Sequence, residues 1–207
     1  LLINKNINHL FQEVNMIPNN RGITLLSKYI EQEHNIFLHF IYVPAQAQEA
    51  DKFWKDTEKI IKQKQAPKNK HYIIGDLNAH INKNKKEKIP KGLKEIINTH
   101  NLVDTYGYLN KKEQHTFVRI ESYNKKVVKI RIDYILVPMY SQTCWCLPKI
   151  YKMNQKLSRD HKAIGVTLNF KSYNHKYIKK ETEHITKKIL VKDISKEKLQ
   201  KIEEELD

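Results

Sequence analysis

Residues 35–43, Asn-Ile-Phe-Leu-His-Phe-Ile-Tyr-Val, are apolar on both alternating faces of an extended chain. Successive side chains of a strand point to opposite sides, so this strand must be covered on both. That requirement places it in the middle of a layered α/β fold. Pro44 stops it. Residues 47–64 then carry Ala47, Ala50, Phe53, Trp54, Thr57, Ile60 and Ile61 at helical spacing. Ala66-Pro67-Lys68-Asn69 breaks that helix, and His71-Tyr72-Ile73-Ile74 is a short apolar strand ending at Gly75-Asp76. A lysine-rich loop over 82–91 precedes a short helix at 92–100 bearing Leu93, Ile96 and Ile97. Further strands are expected at 116–118, at 127–137 and from Ala163 to Phe170. From 171 onward ten Lys and eight Asp/Glu with few large apolar residues read as a charged, partly helical linker or tail. The expected division is therefore one domain over 1–170 and a tail over 171–207.

Composition removes several classes. Hydrophobic residues make up 40% of 207, enough for a core, so wholesale disorder is excluded. No run of ~18 apolar residues is present, which excludes a transmembrane helix, and no secretory signal is visible. The expected location is intracellular, with the nucleus open. Cys144 and Cys146 cannot build a disulfide scaffold or, alone, a zinc site, and read as structural thiols in a reducing compartment. The net charge is +15, yet only four of the 38 basic residues are Arg. The excess of Lys, Asn and Ile is what A/T-rich codons produce, so the charge has two sources: codon bias, and attraction to an anionic partner such as nucleic acid.

Three places can carry chemistry. Asp76 and Asn78 follow a strand end at i and i+2, point the same way in extended chain, and offer oxygen to a hard cation; taken alone, Gly-Asp-Leu-Asn reads first as a plain turn. Asp133 sits inside Arg131-Ile132-Asp133-Tyr134-Ile135-Leu136, where a buried carboxylate costs several kcal/mol unless it is paired. Either Arg131 pairs with it or it is held for a catalytic partner. Asp160-His161 lies just ahead of the last strand, at a sheet rim; an Asp133 carboxylate on that imidazole would fix its tautomer and raise its basicity.

Taken in order, Tyr42-Val43-Pro44, Gly75-Asp76-Leu77-Asn78, Thr116-Phe117, Arg131-Ile132-Asp133-Tyr134-Ile135-Leu136 and Ser158-Arg159-Asp160-His161 resemble the endonuclease/exonuclease/phosphatase family. Arg21-Gly22-Ile23-Thr24-Leu25 and the acidic Phe-Trp helix after Pro44 make the chain most similar to the endonuclease domains of non-LTR retrotransposons. The resemblance covers about residues 1–170. It implies a four-layer α/β sandwich, two packed mixed β-sheets flanked by helices, and metal-assisted hydrolysis of a phosphodiester. It implies Mg²⁺ (or Mn²⁺) as cofactor and DNA, through its phosphate backbone, as partner, in a monomer whose parent continued into a reverse transcriptase. By the same resemblance His161 is the base or phosphate-contacting imidazole and Asp133 orients it. Asp76 positions or deprotonates the attacking water, Asn78 holds a phosphate oxygen or metal-bound water, Asp160 helps seat the metal, and Tyr42 donates its hydroxyl to the phosphate. One departure matters. The family begins with a strand ending in Asn and a second ending in a Leu-Gln-Glu type motif, whose Glu is the principal metal ligand, and neither motif is in this sequence. Gln12-Glu13 comes too late to take that role. The resemblance thus implies a sandwich missing its first strands and an impaired enzyme. Two alternatives stay open: a non-enzymatic nucleic-acid-binding remnant, and a phosphodiesterase of another branch of the family.

Overall fold

The doubly apolar strand is central, as its composition demands. In the computed structural model, which describes residues 5, 7–27, 35–66, 69–81, 89–109, 114–121, 123, 125–139, 145–153 and 160–168, it forms β3 (Asn35–Tyr42). Its neighbours are β2 (Gly22–Ser27), antiparallel, and β4 (Asn69–Asp76), parallel. A parallel pair needs a crossover, and α1 (Ala47–Gln63) supplies it. The sheet is completed by β1 (Phe11–Ile17), β5 (Leu102–Asp104) and β8 (Asp133–Pro138), in the order β1-β2-β3-β4-β8-β5. Glu13 lies on the edge strand β1, three strands away from β4.

One face of this sheet is covered by α1 and α2 (Lys91–Thr99). Ala50, Phe53, Trp54 and Ile61 of α1 pack with Leu93 and Ile96 of α2 and with Ile41, Ile73, Tyr134 and Leu136 of the sheet. Each large side chain buried here contributes about 1.5–3 kcal/mol. Gly92 lets the two helices touch, since a Cβ there would lie 2.9 Å from the Cβ of Trp54. The other face, with Leu25, Ile36, Leu38, Tyr72, Ile135 and Val137, packs against Ile164, Val166 and Leu168 of β10 (Ala163–Leu168). That strand pairs with β9 (Trp145–Tyr151) in a second, antiparallel sheet. The architecture is thus α/β with helices on sheet on sheet.

The expected strand over 127–137 is two strands. β7 (Val127–Ile130) pairs with β6 (Phe117–Ile120) in a separate hairpin, and the chain then kinks at Arg131-Ile132 before entering the main sheet as β8. Two bonds impose the break: the Ile132 and Asp133 N–H groups both turn to Thr116 Oγ1, at 3.2 and 3.1 Å. Asp133 therefore opens a strand and is not in the middle of one. The Pro148 in β9 and the polar residues of β1 hide both strands from a reading of apolar runs. Among the described residues no helix is long and apolar enough to cross a membrane. Most of the lysine-rich loop, Cys144, Ser158-Arg159 and the 171–207 tail lie outside the described residues.

Candidate active site

Register alone brings three of the singled-out residues into a row. In the parallel β3–β4 pair Tyr42 lies beside Asp76, and in the antiparallel β4–β8 pair Asp76 lies opposite Asp133. All three share the face that carries Phe40, Ile74 and Ile135, the face turned toward β10. His161 sits two residues before β10 and bridges Phe117, its ring 4.9 Å from the Phe117 ring. The row and the histidine meet at one rim where the two sheets come together.

There His161 Nδ1 lies 3.2 Å from Asp133 Oδ2 and 3.3 Å from Oδ1. A carboxylate accepts the Nδ1–H and so leaves Nε2 with its lone pair. Nε2 faces Asp76 Oδ2 at 4.0 Å. Asp76 is pushed up to about 6, first by burial and then by the charge of Asp133; the Asn78 N–H, which donates to Oδ1 at 2.9 Å, and His161 pull the other way.

The exit from β4 is made by Gly75 and Asn78. Gly75 has φ 140°, and a Cβ there would sit 1.9 Å from the Ile41 carbonyl oxygen, so only glycine fits. Asn78 has φ 43°, in the left-handed region that Asn tolerates, and its Nδ2 donates to the Val43 carbonyl at 2.7 Å. In this structure its amide ties the end of β3 to the end of β4. Tyr42 is half-exposed, with the Arg21 guanidinium 5.4 Å from its ring centre and its own N–H donating to the Arg21 carbonyl at 2.8 Å. Asp160 is exposed, and its carbonyl accepts the Val118 N–H at 2.9 Å. Its carboxylate is not gathered with the others.

Three residues outside the expected catalytic set hold the site together. Thr116 is fully buried; its Oγ1 accepts the Asp133 N–H and its carbonyl accepts the Lys162 N–H at 2.7 Å, so one residue fixes the backbone on both sides of the Asp133–His161 pair. Arg131 does not pair with Asp133. It is buried between Tyr106 and Tyr134, with its guanidinium 5.0 and 4.7 Å from their ring centres, and Nη2 donates to Asp104. Asp104 also accepts the N–H groups of Tyr106 and Gly107 at the start of α3 (Thr105–Leu109). Asp133 is thereby left for His161. The Thr116-Phe117 dipeptide and the alternation Arg131, Asp133 were the available signals, but nothing local in the sequence says which acid Arg131 meets.

Among the described residues Asp76, Asp133 and His161 are the acid/histidine group able to converge on one metal ion, with ligand atoms within 4.8 Å of one another. Asp76 and Asp133 supply hard oxygens suited to a divalent cation, and a cation would relieve the crowding of their charges. The set is short of oxygen for Mg²⁺, which wants several well-placed ones. Asp160, an expected ligand, is not part of that acid/histidine group, and Asn78 adjoins it through its N–H on Asp76 Oδ1.

No family model matches the chain, and no curated protein matches it. Solved structures do. The chain is similar to the endonuclease domain of TRAS1, a telomere-specific non-LTR retrotransposon, with a TM-score of 0.56 and 16% identity over 78% of this chain and 70% of that one. It is similar to an AP endonuclease from Archaeoglobus fulgidus, with a TM-score of 0.56 and 14% identity over 76% of this chain and 70% of that one. It is also similar to the 3′-5′ exonuclease NExo from Neisseria meningitidis, with a TM-score of 0.54 and 13% identity over 77% and 70% of the two chains. These likenesses establish the architecture: the chain has the endonuclease/exonuclease/phosphatase fold.

Proposed function

We propose that the rim formed by Asp76, Asp133 and His161 is a phosphodiester-hydrolysing site for DNA, of the retroelement endonuclease type, and that it is impaired within residues 1–207. The observation that carries this is the His161 imidazole held against Asp133 with Asp76 in register across the strand pair. Asp133 fixes the imidazole so that Nε2 meets a phosphate oxygen or the proton of the attacking water. Asp76, near 6, is matched to taking a proton from water at neutral pH. Tyr42, with Arg21 over its ring, offers a hydroxyl at the open side of the rim. Mg²⁺ or Mn²⁺, held by Asp76 and Asp133, would stabilise charge building on the phosphoryl and leaving oxygens. Two carboxylates are a sparse set for that ion, which is why turnover is expected to be slow.

The DNA substrate is supported by what the similar proteins act on: TRAS1 contributes an endonuclease domain of a retrotransposon, and the Archaeoglobus protein is an AP endonuclease. Nicking of supercoiled plasmid by residues 1–207 tests the reading. Slow nicking in Mn²⁺ or Mg²⁺, stopped by EDTA and lost in His161→Ala, is the expected result. Nicking that survives EDTA or His161→Ala would refute it. DNA binding with no cleavage at high protein concentration and long incubation would replace it with a binding remnant.

A further inference from the structure

The residues next in sequence to the two halves of the catalytic clamp form a second group. Lys162 follows His161 and His115 precedes Thr116. The Lys162 N–H donates to the Thr116 carbonyl at 2.7 Å, and the Lys162 ammonium donates to His115 Nε2 at 2.9 Å. Two basic side chains are thus held nitrogen to nitrogen on the backbone that carries the site. Lys129 of β7 and Lys152, just beyond β9, add positive charge to the same place. Among the described residues no carboxylate lies within ion-pair distance of any of the four. Four basic groups gathered with no described carboxylate at ion-pair distance repel one another. An anion relieves this repulsion.

We infer that Lys162, anchored by His115 and reinforced by Lys129 and Lys152, is a binding subsite for a backbone phosphate of the nucleic-acid strand, next to the one at His161. The inference rests on the DNA reading of the catalytic rim and adds a place where the strand is gripped. Consecutive residues of an extended chain point to opposite sides, so Lys162 extends the rim without overlapping the acid–histidine group. The amine is pre-positioned by its bond to His115, so less side-chain freedom is lost on binding than at an exposed lysine.

The test measures affinity for a short DNA duplex over a range of salt concentrations, for the full chain and for single variants. Lys162→Gln should weaken binding at every salt concentration and make the slope of log K against log[salt] shallower by about 0.9, the share of one phosphate contact. His115→Leu should do nearly as much by releasing the amine, whereas His115→Gln, which keeps an acceptor for it, should bind like the parent. Lys52→Gln, the same charge change on an exposed position of α1, should leave the slope unchanged. An unchanged slope in Lys162→Gln, or an equal loss in Lys52→Gln, would overturn the inference. Nicking is scored separately: the catalytic reading stands if nicking persists while the slope does not respond, and falls if duplex binding responds but nothing is cleaved.

Discussion

Acid should loosen this fold from a place far from its chemistry. At the end of the sheet opposite to Asp76, Thr24 Oγ1 and His39 Nδ1 are hydrogen-bonded at 2.9 Å, and His39 Nε2 and His71 Nδ1 at 3.0 Å. Both imidazoles are fully buried and stack on each other and on Phe37, with the His100 ring 4.6 Å from that of His71. The charged neighbours of this group are His100 and Lys64, with no carboxylate among them. Burial, helped by those cations, lowers His71 from 6.5 to about 3 and holds His39 well below its ordinary value. A base whose folded value is depressed stabilises the fold above its unfolded value, and that stability drains away as pH falls through the interval between the two. For His71 the interval is 6.5 to about 3. At about pH 5 the loss is roughly 1.5 pH steps of 1.36 kcal/mol, about 2 kcal/mol. His39 adds to it. Asp76 opposes it, because its raised value of about 6 favours the fold as pH falls, by about 1 kcal/mol at pH 5. His71→Asn keeps a polar group near the Nδ1 position and removes the titration. Urea midpoints at about pH 7 and pH 5 should therefore fall less in His71→Asn than in the parent, by the equivalent of about 2 kcal/mol. An equal fall in both proteins would show that His71 does not titrate in this way.

Three further changes have defined outcomes. Thr116→Val keeps the shape and deletes the acceptor of the Ile132 and Asp133 N–H groups, which should cost about 1–3 kcal/mol in denaturant and lower nicking more than it lowers DNA binding. Asp104→Ala strands the buried Arg131 guanidinium and should cost about 3–5 kcal/mol by the same measurement, while Arg119→Ala, at an exposed pair, should cost less than about 1 kcal/mol. Gly75→Ala, at φ 140° and against the Ile41 carbonyl, should cost more than about 4 kcal/mol and leave little folded protein by circular dichroism.

What could be read from the residues follows how local each signal is. The central strand, α1 and α2 announce themselves by apolar periodicity, and each appears within a residue or so of its expected bounds. Asp76, Asp133 and His161 stood out because acids after apolar strands are expensive, and strand register does bring them to one rim. The rest depended on contacts between distant segments. The kink at Arg131-Ile132 is made by Thr116, which faces it across the open end of the β6–β7 hairpin, 16 and 17 residues from the two N–H groups it accepts. The partner of Arg131 is Asp104, with nothing in the intervening chain to announce it. β1 and β9 carry polar residues or proline and become strands only through their neighbours. The buried His39–His71 pair was hidden because histidine in an apolar strand has no periodic signature of its own.

The nicking of supercoiled plasmid by residues 1–207 beside Asp133→Asn and His161→Ala tests the central claim most directly. Asp133→Asn keeps the shape beside the imidazole but replaces the carboxylate that fixes its tautomer. Slow, EDTA-sensitive nicking by the parent, at least about tenfold weaker in Asp133→Asn and absent in His161→Ala, with duplex binding retained in both, is what a phosphodiesterase site at this rim requires. Nicking of equal rate in all three proteins would place the chemistry elsewhere and contradict the account.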